Sequence, residues 1–280
     1  MPYNKNMASI LIGTSGYDYP EWKGVFYPPE VKRTDFLSYY ATQFNAVELN
    51  NTFYNMPTAE RLLSFYERSN GQLEFSIKAN RLLTHEISPL WNTAADDFKQ
   101  ALIPLLEKDK LCAVLFQFPQ SFHYTNDNRI YLAKVIAAFE GFPVIIEFRH
   151  REWIRESVFE GMIQRKVSMA FCDMPELKYL PAAQVVSTGS TTDASAASVF
   201  IGPNAYIRMH GRNADAWYSA GPQANGSARY DYNYSKEELE KFVPVIQAAV
   251  KEGRKAQIFF NNHPKGNGAE NAKQLKKLLK

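Results

Sequence analysis

The chain has 280 residues, 45% of them apolar and 14% aromatic, with a formal net charge of +3 and a sequence pI near 8.6. That apolar share supports a large core, and the mild basicity falls short of the pI above about 9 that would by itself mark a nucleic-acid-binding domain. No apolar run reaches the roughly 18 residues of a membrane helix, the opening MPYNKNMAS lacks a signal peptide's apolar stretch, and two cysteines are too few for a disulfide framework, so a cytoplasmic protein with no membrane partner is expected.

In chain order, eight short apolar runs predict strands: Ile10–Gly16, Ala46–Tyr54, Leu73–Asn80, Cys112–Pro119, Pro143–His150, Val167–Asp173, Ala205–Gly211 and Ala256–His263. Each is followed by a loop, and helical patterns fill most of the intervals. Pro57–Ser69 has proline near its start and apolar spacings of three and four. Phe98, Ala101, Leu102, Leu105 and Leu106 follow a polar helix start at Asn92–Asp97. Ser235 and Glu238 form the spacing of a capping box, Gly253 closes that helix, and Pro244 should kink it or begin a second segment. The stretch Ser187–Ser198 reads as a surface excursion, with a small hairpin through Val185 and Phe200.

Strand alternating with helix eight times predicts one α/β domain over residues 1–280, a (β/α)8 TIM barrel of parallel strands. A doubly wound open sheet is the structural competitor, but no glycine-rich dinucleotide loop follows the first strand.

In a barrel one strand face packs on the helices and the other points into the lumen. In VIIEFRH, Val144, Ile146 and Phe148 form an apolar outer face, which leaves Ile145, Glu147 and Arg149 inward. The same alternation sends inward Glu48 and Asn50, then Ser76, Lys78 and Asn80, then Gln117, then Arg208 and His210, then Gln257, Phe259 and Asn261. The charged members lie toward the carboxyl ends of their strands, where barrel enzymes build their sites. Buried charge is costly unless paired, so a closed network is expected even without substrate: Glu48 with Lys78, and Glu147 with Arg149 or Arg208. Cys112 opens its strand at the amino end and Cys172 alternates outward, so neither is expected to be a nucleophile.

The rim loops add candidates. Thr14–Pro28 is rich in aromatics and reads as a lid or a packed plug. His85, His150, Arg229, Tyr230, Tyr234 and Asn262 flank the strand ends. The glycine-bearing loop Asn262–Gly268 leads into a helix after strand eight, where barrels often hold phosphate.

The motifs GTSGYDYPEWKGVFYP, FNAVELNNTFY, FSIKANRLLTH, QFPQSF, IEFRHREW, RMHGR, RYDYNYSKEEL and FFNNHPKGNGAENA resemble those of the YecE-like family, domain of unknown function number 72. They span nearly the whole chain. The resemblance implies a TIM barrel and leaves the reaction open, since the family's chemistry is not established. A likeness of the family to barrel endonucleases acting on damaged DNA is a fold-level analogy.

The expected function is therefore an enzyme of hydrolase type, phosphodiesterase- or nuclease-like, acting at the carboxyl rim on an anionic, phosphate-bearing small molecule or nucleic acid. Glu48, Lys78, Glu147 and His210 are the catalytic candidates, with a glutamate as base and His210 or His85 as acid or orienter. Asn50, Asn80, His85, Arg149, His150, Arg208, Arg229, Tyr230, Tyr234, Asn261 and Asn262 are the substrate-binding candidates. Three alternatives remain open: metal-dependent chemistry on Glu48, Glu147, Asp173, His210 and His263, Schiff-base chemistry on Lys78 with a sugar-like substrate, and a non-catalytic barrel that binds nucleic acid or protein. No cofactor and no oligomeric state is assigned.

Overall fold

The computed structural model describes residues 10–181, 200–218 and 227–280. The predicted excursion at 187–198 and the hairpin through Val185 lie outside them. Eight parallel strands form one sheet: β1 (Ile10–Thr14), β2 (Ala46–Leu49), β3 (Glu74–Lys78), β4 (Leu111–Gln117), β5 (Val144–Glu147), β6 (Ser168–Asp173), β7 (Asn204–Met209) and β8 (Lys255–Phe260). Their order is β1-β8-β7-β6-β5-β4-β3-β2. A bridge between Ser15 and Glu48, beyond the end of β1, brings the two outer strands together into a nearly closed barrel.

The helices are α1 (Phe36–Gln43), α2 (Ala59–Arg68), α3 (Trp91–Glu107), α4 (Asn126–Ala138), α5 (Glu156–Gln164), α6 (Lys236–Glu240), α7 (Val243–Lys251) and α8 (Asn267–Leu278). The local rules explain their ends. Thr58 and Thr125 cap α2 and α4 by accepting from the third backbone N–H, and Ser235 with Glu238 completes the expected capping box. Pro244 begins a second segment, α7, because it cannot donate to the turn before it. None of these helices is long and apolar enough to cross a membrane.

The β1–β2 seam is held by side chains. The Asn45 carboxamide accepts from Ile12 N at 2.9 Å and donates to Ile10 O at 2.8 Å, standing in for ladder bonds. The Tyr40 hydroxyl accepts from Thr14 N at 2.7 Å and donates to Ala46 O at 3.1 Å. Gly13 permits the approach: a Cβ there would lie 1.9 Å from Ala46 O.

Three apolar clusters result among the described residues. The largest lies between the sheet and the helices, and includes Val144, Ile146 and Phe148. A second fills the lower lumen with Leu11, Ala46, Cys112, Ala113, Leu115, Ile145, Tyr206 and Phe259. The third gathers Cys172, Met174, Leu180 and Trp217. Ile145 and Phe259 are thus inward, as the alternation required. Polar side chains take over above this plug.

Candidate active site at the carboxyl rim

Arg208 on β7 spans the lumen. Its Nε and Nη2 donate to the two oxygens of Glu48 on β2, at 2.9 and 2.5 Å, and its Nη1 donates to Glu147 Oε2 on β5 at 2.7 Å. All three side chains are buried. Below, the Tyr206 hydroxyl donates to Glu48 Oε2 at 2.8 Å and so accepts from Ser76 Oγ at 2.6 Å. Above, Arg149 Nε donates to Glu147 Oε1. Arg149 Nη2 donates to His210 Nε2 at 3.1 Å. The Asn261 carboxamide nitrogen lies 3.0 Å from His210 Nδ1, so both ring nitrogens have a polar neighbour.

The electrostatics follow from burial and pairing. Burial alone would raise both glutamates, but Arg208 holds Glu48 below its usual value, and Arg149 with Arg208 holds Glu147 well below. Burial, then Arg149, lowers His210 to about 3, so its ring is neutral. Two carboxylates balance two guanidiniums.

Lys78 is left over. Its Nζ donates to Gln117 Oε1 at 2.9 Å and lies 4.4 Å from the centre of the Phe53 ring. Among the described residues no carboxylate is within ion-pair distance of it. The expected Glu48–Lys78 pair does not form, because Arg208 already occupies both Glu48 oxygens. Burial, then Arg208, lowers Lys78 to about 7. His85 sits edge-on to the same Phe53 ring, centroids 4.7 Å apart, with Nδ1 on Thr84 Oγ1.

The remaining candidates divide. Tyr230 faces His210 across 5.9 Å and His263 across 6.0 Å, and so borders the mouth. Trp217, which alternation did not single out, faces His210 as well and lies 5.9 Å from the Arg149 guanidinium. Arg229 packs on Tyr230 at 5.9 Å. Asn50 follows β2, and its carboxamide oxygen is buried with no hydrogen-bond partner among the described residues. Four others build loops. Asn80 donates to Thr52 O and accepts from Leu82 N. Asn262 donates to Tyr232 O and to Asn271. Tyr234 donates to Asp173 at 2.6 Å. His150 caps the turn Arg151–Trp153 beside His123 and Glu152.

Two expectations change. Cys172 faces inward: its thiol, the Glu147 carboxylate and a His210 nitrogen lie within 4.8 Å of one another. Burial pushes the thiol well up, which keeps it inert as a nucleophile. The five proposed metal ligands do not gather among the described residues; Asp173 is bound by Arg212 and Tyr234, and His263 stacks on Tyr19 at 4.7 Å. Two guanidiniums on Glu147 leave little attraction there for a cation. The loop after β8 also packs on the β1 loop: Trp22 Nε1 donates to His263 O at 2.8 Å, and Gly266, with φ +78°, lies against Val25.

The family model described as "Protein of unknown function DUF72" matches residues 11–280. The chain belongs to the DUF72 family. This DUF72 chain is 27% identical to the UPF0759 protein YunF of Bacillus subtilis, over 96% of its own length and 94% of YunF. It resembles the crystal structure of a DUF72 protein (TM1631) from Thermotoga maritima, with 30% identity, TM-score 0.82, and 97% and 99% of the two chains covered. The DUF72 protein EF0366 of Enterococcus faecalis shares the fold at 24% identity and TM-score 0.77, over 96% and 95% of the chains. The YecE-like resemblance of the motifs agrees with this membership, and the DUF72 relatives carry no stated reaction.

Proposed function

We propose that the protein is an enzyme acting on a small anionic substrate, phosphate-bearing in the first instance, at the carboxyl rim of the barrel. One observation carries the reading: the buried carboxylates and guanidiniums neutralise one another, and among the described residues Lys78 is the lumen cation left without an ion pair. An anion beside Lys78 gains a counter-ion without breaking an existing pair. An amine near pH 7 also suits proton transfer, since acid–base efficiency peaks when the pKa matches the working pH. Glu48 and Glu147 then serve as fixed counter-ions that hold the arginines, not as bases. Tyr230 and Trp217 give the mouth aromatic faces for a base or sugar.

The test is a thermal-shift panel of phosphosugars, nucleotides, and single- and double-stranded DNA and RNA, each with and without Mg2+, Mn2+ and Zn2+. An anion should stabilise the wild type, and Lys78→Met should abolish the shift. A panel without any responding anion, or a shift that survives the substitution, sinks the reading.

A second reading rests on the same amine. With its pKa lowered to about 7, Lys78 is a substantially neutral nucleophile that can form an imine with a carbonyl-bearing sugar, releasing water. Borohydride reduction in the presence of such a sugar would leave a mass adduct on Lys78; an unmodified lysine refutes it.

A further inference from the structure

We propose that the cavity between the β1 loop and α2 is a second anion-binding subsite, so that the substrate class is an extended molecule with two anionic groups. The pairing of the two groups in one substrate rests on the reading above; the subsite itself does not.

The cavity has a volume of about 590 Å3, within the range of small-molecule sites, and is walled by Tyr17, Tyr19, Asn50, Asn51, Arg61 and Arg68. Its wall is built on chain segments that also carry the lumen site. Gly16 of its wall donates its N–H to Glu48 O at 2.8 Å, and Asn50 lies two residues beyond Glu48 on the same chain segment.

Its charge is uncompensated. Arg61 and Arg68 are seven positions apart on α2, two turns along one face, about 10 Å between their Cα atoms. Arginines on a solvated helix commonly have an acidic neighbour three or four positions away. Here those positions hold Pro57, Thr58, Ser64, Phe65, Gly71 and Gln72. Neither guanidinium makes an ion pair among the described residues. The carboxylate in the wall, Asp18, is already bound through both oxygens by Arg33, at 2.7 and 3.0 Å.

The cavity is also partly preorganised. Arg68 Nη2 donates to Thr34 O at 3.2 Å, which fixes its stem beside the Tyr17 ring. The Asn50 carboxamide oxygen is buried with no hydrogen-bond partner among the described residues. Turning that amide about its last bond would bring its NH2 group to where the unpartnered oxygen now lies and offer a donor to an anion. Two forked guanidiniums and carboxamide donors suit planar or tetrahedral oxyanions, that is, carboxylate or phosphate.

Isothermal titration with inorganic phosphate at low ionic strength tests both sites in the full chain. Wild type should bind two phosphates. The double variant Arg61→Gln/Arg68→Gln should lose one site, weakened at least about tenfold, while the other is unchanged. Lys78→Met should lose the other one. Arg61→Lys/Arg68→Lys, which keeps the charge, should recover part of the lost affinity, and circular dichroism verifies folding of each variant. An Arg61→Gln/Arg68→Gln isotherm identical to wild type overturns the subsite. A single site removed by that variant and indifferent to Lys78→Met upholds the subsite and overturns the central reading instead. A parallel titration with succinate assigns the bound group as phosphate or carboxylate.

Discussion

Replacing Arg208 by Met tests the ion network most directly. The guanidinium makes three hydrogen bonds to two buried carboxylates, and methionine keeps much of its volume without the charge. Removing one member of a buried pair typically costs about 3–5 kcal/mol, because the partner is left without compensation. Glu147 keeps Arg149, whereas Glu48 loses its one cationic partner and retains the Tyr206 hydroxyl. The loss should therefore fall near the upper end, about 4–5 kcal/mol, a large part of the roughly 5–15 kcal/mol that holds a protein folded. For a chain of this length that corresponds to a Tm drop of about 7–8 °C. The pH dependence carries the sharper signal. In wild type Glu48 titrates below its ordinary value, so its contribution is present above the unfolded pKa, about 4.3, and fades as pH falls through the lower, folded one. Without Arg208 burial dominates and raises the folded pKa, so the deficit grows as pH rises above the unfolded value and shrinks toward pH 5. Urea unfolding at pH 7.5 and 5.0 measures both effects. A deficit under about 1 kcal/mol, or one equal at the two pH values, would refute the assignment of Arg208 as the compensating charge.

Lys78 titrates near 7 folded and near its ordinary value unfolded, so between about pH 7 and 10 the unfolded chain binds the extra proton and wild-type stability rises with pH. Lys78→Met should flatten that rise in urea midpoints taken across the window; equal slopes in the two proteins would contradict the depressed value. Gly13→Ala should open the β1–β2 seam, since its Cβ would meet Ala46 O at 1.9 Å and the Tyr40 hydroxyl at 2.7 Å. A loss of about 3 kcal/mol or more is expected from such overpacking against backbone, and a Tm within about 2 °C of wild type would show that the seam can give.

Alternation located the site wherever a strand carried one polar face. Glu48, Ser76, Lys78, Gln117, Glu147, Arg208 and Asn261 all point inward because burial of charge against apolar helices would have no partner. In β6 alternation sets the small Ser168, Ala170 and Cys172 against the large apolar Met169 and Phe171, which face the helices; with no charge on the small face, the outward reading of Cys172 took the wrong side. The pairing was also hidden. Glu48 and Lys78 lie on neighbouring strands and have opposite charges, yet the longer Arg208 side chain reaches Glu48 from across the lumen. No local pattern encodes that reach. Nor does one encode the packing of Trp22 on the loop after β8.

Stability alone does not explain a charged upper lumen. Buried ion pairs are often no better than well-packed apolar side chains of equal volume, and the same barrel fills its lower lumen with such residues. What the network supplies is fixed orientation. Glu48 and Glu147 saturate Arg208 and engage Arg149, and the neutral His210 is gripped at both nitrogens, so none of these groups needs to reorganise when a guest arrives. The variable element is the proton on Lys78. An anion seated beside that amine, as proposed, would favour its charged form, so the guest itself would complete the counter-ion that retains it. On the proposed function, a rigid, internally neutral frame around a titrating amine would give the rim both a place to hold negative charge and a group able to exchange a proton with it.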